Sequence, residues 1–161
     1  MLHIGSFSKT ISPALRLGFM VVPPELSRRF AELAASLAPA PAAGMQRAVA
    51  EFMRDGHYLR HLRRMKQLYA ARRETLVRCL GEMAPDLKVQ ATAGLAVVIL
   101  LPKSASDVDI TSRALEFGLA PRPMSAWYMQ PPRQQGLLLC VTNLNERRLP
   151  ADCRRLLELA R

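Results

Sequence analysis

Apolar residues recur every third or fourth position along residues 25–37, as on one face of an amphipathic helix. A second helical segment is predicted over residues 42–54, and Gly56 separates it from the next segment. The longest periodic run comes next and predicts a helix of about 25 residues that packs along one seam. Its apolar stripe consists of Tyr58, Leu62, Met65, Tyr69, Leu76 and Leu80.

Shorter β-rich runs appear around and after this helix. Residues 19–22 form a short apolar run that the Pro23-Pro24 pair closes, and residues 87–90, 95–101 and 137–142 form three more. Between and after them, two helices are predicted over residues 107–117 and 146–159, with Gly118 placed as a C-terminal cap. This alternation predicts a small α/β or α+β layer structure attached to the long helix. Three or four strands are few for a free-standing doubly wound sheet, so we expect part of a larger sheet to be missing.

The composition is that of a globular protein. Half of the 161 residues are apolar and 22% are charged, which is enough apolar surface for a core. No apolar run approaches the roughly 18 residues that a membrane span needs. The first ten residues lack the basic and apolar regions of a secretory signal. A cytoplasmic protein without a membrane partner is therefore expected.

The net charge of +10 favours an anionic partner, yet arginines on solvated helix faces between residues 54 and 78 account for much of it. A basic isoelectric point alone is weak evidence for nucleic-acid binding. Cys79, Cys140 and Cys153 are widely spaced and form no CxxC pair. Buried or half-buried free thiols are the prediction for all three.

Candidate chemistry concentrates in one segment near the start, GSFSKTISPALRLG, which runs from Gly5 to Gly18. The segment resembles the lysine motif of fold-type I pyridoxal-phosphate enzymes, and it is most similar to MocR-type regulators of the GntR family and to the related stand-alone aminotransferases. The similarity continues through Pro23-Pro24, the run HLRRMKQLYAARR and the late strand GLLLCVTNL. It therefore covers nearly the whole chain.

The resemblance implies pyridoxal 5'-phosphate as the cofactor and assigns roles to four residues. Lys9 would be the catalytic lysine that forms the internal aldimine, a Schiff base with the cofactor aldehyde. Ser6 and Arg16 would hold the phosphate, with Ser8 as a further hydroxyl donor. The chemistry suits these residue types, because a neutral lysine amine is nucleophilic and a planar guanidinium can bind a phosphate through two parallel hydrogen bonds.

Two other chemistries fit parts of the same sequence. Ser6-x-x-Lys9 matches the S-x-x-K motif of penicillin-binding proteins, but the S-D-N and K-T-G elements of that chemistry are missing. His57 and His61 are four residues apart, as in some metal sites, without an HExxH glutamate or an evident third ligand. We therefore expect no metal site, and a packing or solvated role for both histidines.

Substrate recognition is the point at which the chain departs from the resemblance. Some aminotransferases place an arginine for the substrate carboxylate near the end of the chain, where this sequence offers Asn143. An amide lacks the charge of a guanidinium. Asn143 is therefore the candidate substrate residue, and ordinary transaminase activity is in question.

The resemblance also implies a partial aminotransferase fold of type I. Residues 1–55 would be the end of the large cofactor domain, residues 56–85 a connecting helix, and residues 86–161 a small C-terminal α/β domain. Complete relatives carry the lysine well past the middle of the chain, so we expect a fragment that binds the cofactor poorly by itself.

Three hypotheses for the parent protein follow from the resemblance. In the first, it is a MocR-type regulator that binds an amino acid or amine, forms a homodimer and contacts DNA through a domain absent from this chain. In the second, it is an aminotransferase that transfers an amino group from an amino acid to a 2-oxo acid. In the third, the chain is an inert truncated remnant.

Overall fold

The computed structural model of the protein describes residues 1–37, 41–91, 94–130 and 134–160. These residues form two compact units, residues 1–65 and residues 66–161, and the division falls within the longest helix. The three-segment domain division stays a prediction.

The first unit contains a two-stranded antiparallel sheet and helical segments. Strand β1 (His3–Ser6) pairs with β2 (Gly18–Val21). Helices α1 (Pro24–Leu37) and α2 (Ala43–Arg54) follow, and α3 (His57–Met83) begins after the left-handed Gly56, whose φ is +75°. These three helices confirm the three helical segments that the sequence predicts.

The core of the first unit is small. Phe7, Leu17 and Val49 are its buried apolar residues, and Ile11, Leu15 and Tyr58 pack against them half-buried. The Phe7 ring lies 5.3 Å from the Phe19 ring and 5.7 Å from the Tyr58 ring, the latter edge to face, between centroids. These aromatic contacts place the end of β1 against the first turn of α3.

A four-stranded antiparallel sheet forms the centre of the second unit. Its strands are β3 (Lys88–Gln90), β4 (Ala96–Leu101), β5 (Arg122–Pro123) and β6 (Gln135–Cys140), in the spatial order β3-β4-β6-β5. The central pair is in register from Ala96 opposite Cys140 to Leu101 opposite Gln135. Alternate residues of β4 are buried, so one face of this strand contacts the core.

The last part of α3 packs with α4 (Asp107–Leu115) and α5 (Leu149–Leu159) around this core. Leu80, Val97 and Leu137 are fully buried there. The result is the mixed helix and sheet fold that the sequence predicts. Within the described ranges, no helix combines the length and the apolar content that crossing a bilayer requires.

The sequence predicts the C-terminal end of α4 better than the start of α5. Gly118 has a φ of +70°, and its N–H donates to the carbonyl of Leu115, as expected of the predicted cap. Helix α5 begins at Leu149, three residues later than predicted. Pro150 occupies its first turn, and the Asn145 side chain accepts a hydrogen bond from the Arg147 N–H, which holds the preceding residues as a turn.

A buried carboxyl group joins the start of α4 to the sheet edge. Asp107 has no exposed surface, and its Oδ2 accepts hydrogen bonds from the backbone N–H groups of Ser125 (2.8 Å) and Gly136 (3.1 Å). Its Oδ1 accepts from the Ser125 hydroxyl. Asp107 thus connects α4, the segment after β5 and the second residue of β6.

The thiols follow the prediction at two of three positions. Cys79 and Cys153 are buried, whereas Cys140 is exposed at the end of β6. Burial raises the pKa of Cys153 to about 12, and the neighbouring Cys79 adds to the effect. Cys153 therefore stays a protonated thiol at neutral pH and is a poor nucleophile.

Candidate functional site

The connection between β1 and β2 carries all four predicted cofactor-binding residues. Ser6 is paired with Gly18, so the two ends of the intervening chain lie side by side. Ser6 ends β1, Ser8 and Lys9 follow in a turn, and Arg16 precedes β2 by two positions. The sheet pairing thus brings these residues onto one closed segment.

Phe7 anchors this segment from its buried side. Its carbonyl accepts hydrogen bonds from the N–H groups of Thr10 (3.2 Å), Ile11 (2.8 Å) and Ser12 (3.2 Å), and its own N–H donates to the carbonyl of Leu17 (3.0 Å). The Phe7 side chain is buried, whereas Lys9, two residues later, is exposed. A fixed base therefore supports a turn that presents the lysine to solvent.

The two serines of the motif are joined by a local hydrogen bond. The N–H of Ser8 donates to the Ser6 hydroxyl oxygen at 3.2 Å. The Thr10 hydroxyl lies 3.5 Å from the Ser6 carbonyl, at the limit of hydrogen bonding. The Ser6 hydroxyl is thereby held at the start of the turn, where it still has a proton to donate.

Arg16 adopts a left-handed backbone conformation, with φ 47° and ψ 35°. Among the described residues it is the only non-glycine residue with a positive φ. It ends a short 3-10 turn, Pro13–Leu15, whose first turn is capped by the Ser12 hydroxyl. Such a conformation costs of order 1 kcal/mol and persists where the surrounding chain imposes it, which occurs often at binding sites.

The segment is electropositive. Lys9 and Arg16 are both exposed, and neither side chain forms an ion pair or a hydrogen bond within the described part of the chain. Two uncompensated cations on one short connection favour an anionic ligand such as a phosphate.

Gly5 lies beneath an aromatic ring of the neighbouring strand. A Cβ at this position would lie 2.3 Å from the Phe19 ring, which crosses over Gly5 from the opposite strand. The ring in turn packs against Phe7. This glycine therefore supports the base of the turn.

Asn143 belongs to the second unit, where it follows β6 and is exposed. It lines a cavity of about 380 Å³ with Leu119, Leu139, Leu144, Arg148 and Asp152. The preceding residues are held by Arg72 of α3, whose guanidinium donates to the carbonyl of Thr142 at 2.5 Å. The role of Asn143 in substrate recognition stays a prediction.

Two residues that contact the lysine turn were not recognised as part of the site in the sequence. The Tyr58 hydroxyl donates to the Thr10 hydroxyl at 3.1 Å, and His61 Nε2 lies 2.8 Å from the Thr10 carbonyl oxygen. The periodicity indicates only that Tyr58 faces the protein interior. The spacing of His57 and His61 indicates only a packing or solvated role, and the His57 ring stacks on Phe52, with 5.7 Å between centroids.

Comparison with known proteins assigns the chain to a family. The model of the family described as aminotransferase class I and II matches residues 1–154. The chain is 33% identical over 141 residues to the probable rhizopine catabolism regulatory protein MocR of Rhizobium meliloti, covering 86% of this chain and 29% of that protein. It is 26% identical over 159 residues to the 2-aminoadipate transaminase of Thermus thermophilus, covering 97% of this chain and 40% of the transaminase.

The fold is also that of solved aminotransferases. The kynurenine aminotransferase of Pyrococcus horikoshii superposes with a TM-score of 0.85 over 99% of this chain, at 24% sequence identity. The match covers 40% of that enzyme. The chain thus spans between about three and four tenths of the length of these similar proteins.

Proposed function

The chain belongs to the aminotransferase class I and II family, and on this premise we propose that its first unit carries the lysine-bearing part of a pyridoxal-phosphate site. Lys9 is the residue that binds the cofactor covalently. Ser6, Ser8 and Arg16 hold its phosphate.

The closed segment between β1 and β2 is the observation that carries this proposal. It presents an exposed lysine from a turn fixed at Phe7, and seven residues later it holds an arginine in a left-handed conformation. Both cations lack acidic partners within the described ranges. A phosphorylated aldehyde matches this set, because the phosphate is an anion for the guanidinium and the aldehyde reacts with an amine.

Some residues of the segment bind the cofactor, and Lys9 takes part in the chemistry. When bound, the cofactor supplies an aldehyde that reacts with an amine and a ring that withdraws electrons from the substrate. Arg16 and the Ser6 hydroxyl bind and orient the phosphate. Lys9 Nζ would be the base that moves the proton at the substrate Cα.

For the whole protein we propose a MocR-type regulator that binds an amino acid or amine. The higher identity to a MocR-type protein than to the transaminase favours it. A homodimer, a cytoplasmic location and DNA contact through a domain outside these 161 residues belong to the same proposal. The second candidate is an aminotransferase, and in either case Asn143 is the residue proposed to contact the ligand.

The gene sequence upstream of the Met1 codon separates the two candidates. An in-frame helix-turn-helix domain supports the regulator. An aminotransferase N-terminal segment without such a domain supports the enzyme.

Borohydride trapping tests the lysine assignment. The chain has four lysines, Lys9, Lys66, Lys88 and Lys103, and all four are exposed, so exposure alone would label them alike. After incubation of the whole protein with pyridoxal phosphate and reduction, we expect the modification among these four lysines to fall on Lys9 in preference to the other three. Equal labelling of the four lysines, or labelling centred elsewhere, contradicts the proposal.

The Arg16 assignment has a matched test in the same assay. Arg16→Gln removes the charged phosphate contact, so the pyridoxal-phosphate concentration that half-saturates Lys9 should rise about tenfold or more. Pyridoxal without phosphate is the control, and its labelling of Lys9 should not change. If the substitution affects both aldehydes equally, Arg16 does not bind the phosphate.

A further inference from the structure

We propose that Tyr58 and His61 are positioning residues, which hold the turn that carries Lys9 by binding the hydroxyl and the carbonyl of Thr10. The inference deepens the proposed function and rests on it for its chemical meaning. It concerns residues of α3 that lie about 50 positions from the motif in sequence.

The contacts converge on the residue that directly follows Lys9. Tyr58 and His61 are three positions apart on α3 and therefore lie on the same face of the helix. Tyr58 binds the Thr10 hydroxyl at 3.1 Å, and His61 binds the Thr10 carbonyl at 2.8 Å. Thr10 is thus held by its side chain and its backbone at once.

The opposite side of the turn is held by Phe7. The Thr10 N–H donates to the Phe7 carbonyl, and the Phe7 ring packs on the ring of Tyr58. Lys9 therefore has a backbone that is fixed on both sides, two residues before it and one residue after it. Its side chain remains exposed and can reach an aldehyde.

The His61 contact identifies which ring nitrogen carries the proton. A carbonyl oxygen only accepts hydrogen bonds, so Nε2 is the donor. A glutamine side chain can place an N–H at a position similar to Nε2, whereas asparagine is shorter and cannot. His61→Gln and His61→Asn are therefore a matched pair of variants. Tyr58→Phe removes the hydroxyl and keeps the ring on Phe7.

The experiment measures the rate at which borohydride traps pyridoxal phosphate on each of the four lysines. In the double variant Tyr58→Phe/His61→Asn, we expect the maximal rate at Lys9 to fall about tenfold, the effect of losing two modest hydrogen bonds. The half-saturating concentration should stay within about twofold, because Arg16 is unchanged. Tyr58→Phe/His61→Gln should recover most of the loss that the His61 change causes.

Two results of the trapping experiment would overturn the inference. One is an unchanged rate at Lys9 in the double variant. The other is a parallel change at Lys66, Lys88 and Lys103 together with a lower thermal midpoint, which is the signature of a general structural role.

A cofactor-free measurement separates this inference from the proposed function. Reductive methylation with ¹³C-formaldehyde gives each lysine an NMR signal, and the double variant should shift only the signal of Lys9. If wild-type Lys9 shows no preference for pyridoxal phosphate, the proposed function fails, yet this shift still decides whether α3 positions the lysine. An unshifted Lys9 signal rejects the positioning role.

Discussion

The two units of the chain contain similar elements but bury very different amounts of apolar surface. Among the described residues, the core of the second unit has fourteen buried members, whereas that of the first has three. Helix α1 has no buried residue at all, and most of its apolar stripe is exposed, with Leu33 at 56% and Leu37 at 82%. Helices and strands form in both units, but only the second unit surrounds them with a large core.

This difference shows where stability and candidate chemistry lie. The proposed cofactor residues are on the unit with the small core, where the turn depends on a few aromatic contacts and hydrogen bonds. Segments with few buried contacts open at lower free energy than core strands and helices. The comparison therefore predicts that substitutions in the second unit affect stability most.

The largest effect is expected from matched leucine truncations. Leu80→Ala removes a side chain with no exposed surface in the second unit and should lower the free energy of unfolding by about 2–5 kcal/mol. Leu33→Ala in α1 should change it by less than about 0.5 kcal/mol. Urea denaturation of both variants measures the difference. Similar losses would show that α1 is covered in solution and would remove the contrast.

A smaller effect is expected at Asp107. Asp107→Ala leaves the half-buried N–H of Ser125 and the buried N–H of Gly136 without their acceptor and should cost about 1–3 kcal/mol. Asp107→Asn keeps one oxygen for both donors and should cost less than about 1 kcal/mol. Asp109, whose side chain is 63% exposed, is the control, and its alanine variant should be near neutral. Equal losses for alanine and asparagine would mean that charge matters more than hydrogen bonding.

The smallest effects concern two glycines of the second unit. Gly118→Ala places a Cβ on a left-handed residue and should cost about 1 kcal/mol, although nothing lies within 4 Å of that Cβ. Gly81→Ala lies inside α3, also with free space, and should stabilise by about 0.5–1 kcal/mol. Thermal midpoints of the two variants should therefore move in opposite directions. A shift in the same direction would contradict the conformational reason given for each glycine.

The sequence predicts the helices well because their patterns are local. Residues 25–37 and the stripe of α3 carry the helical period within a single segment, and the structure has helices there. The sequence does not predict strand β1, because none of its four residues is buried and they form a strand only through pairing with β2. Strand β5 is two residues long and exists only against β6.

The residues of the candidate site likewise fall into two groups, those that a local pattern reveals and those that only long-range contacts bring in. Lys9, Arg16 and the serines are recognisable from their order along one segment, because a motif is a local pattern. Tyr58 and His61 are not, since their contacts with Thr10 join residues 48 and 51 positions apart. No spacing rule links a helix to a turn over that distance.

By itself, the sequence determined which segments are helical, which family the motif resembles and which residue is the candidate lysine. Only the tertiary structure decided which apolar faces are covered, how the lysine turn is held and where Asp107 binds. The physical reason is that local pattern depends on the backbone and near neighbours, whereas burial and long-range hydrogen bonds depend on which distant segments meet.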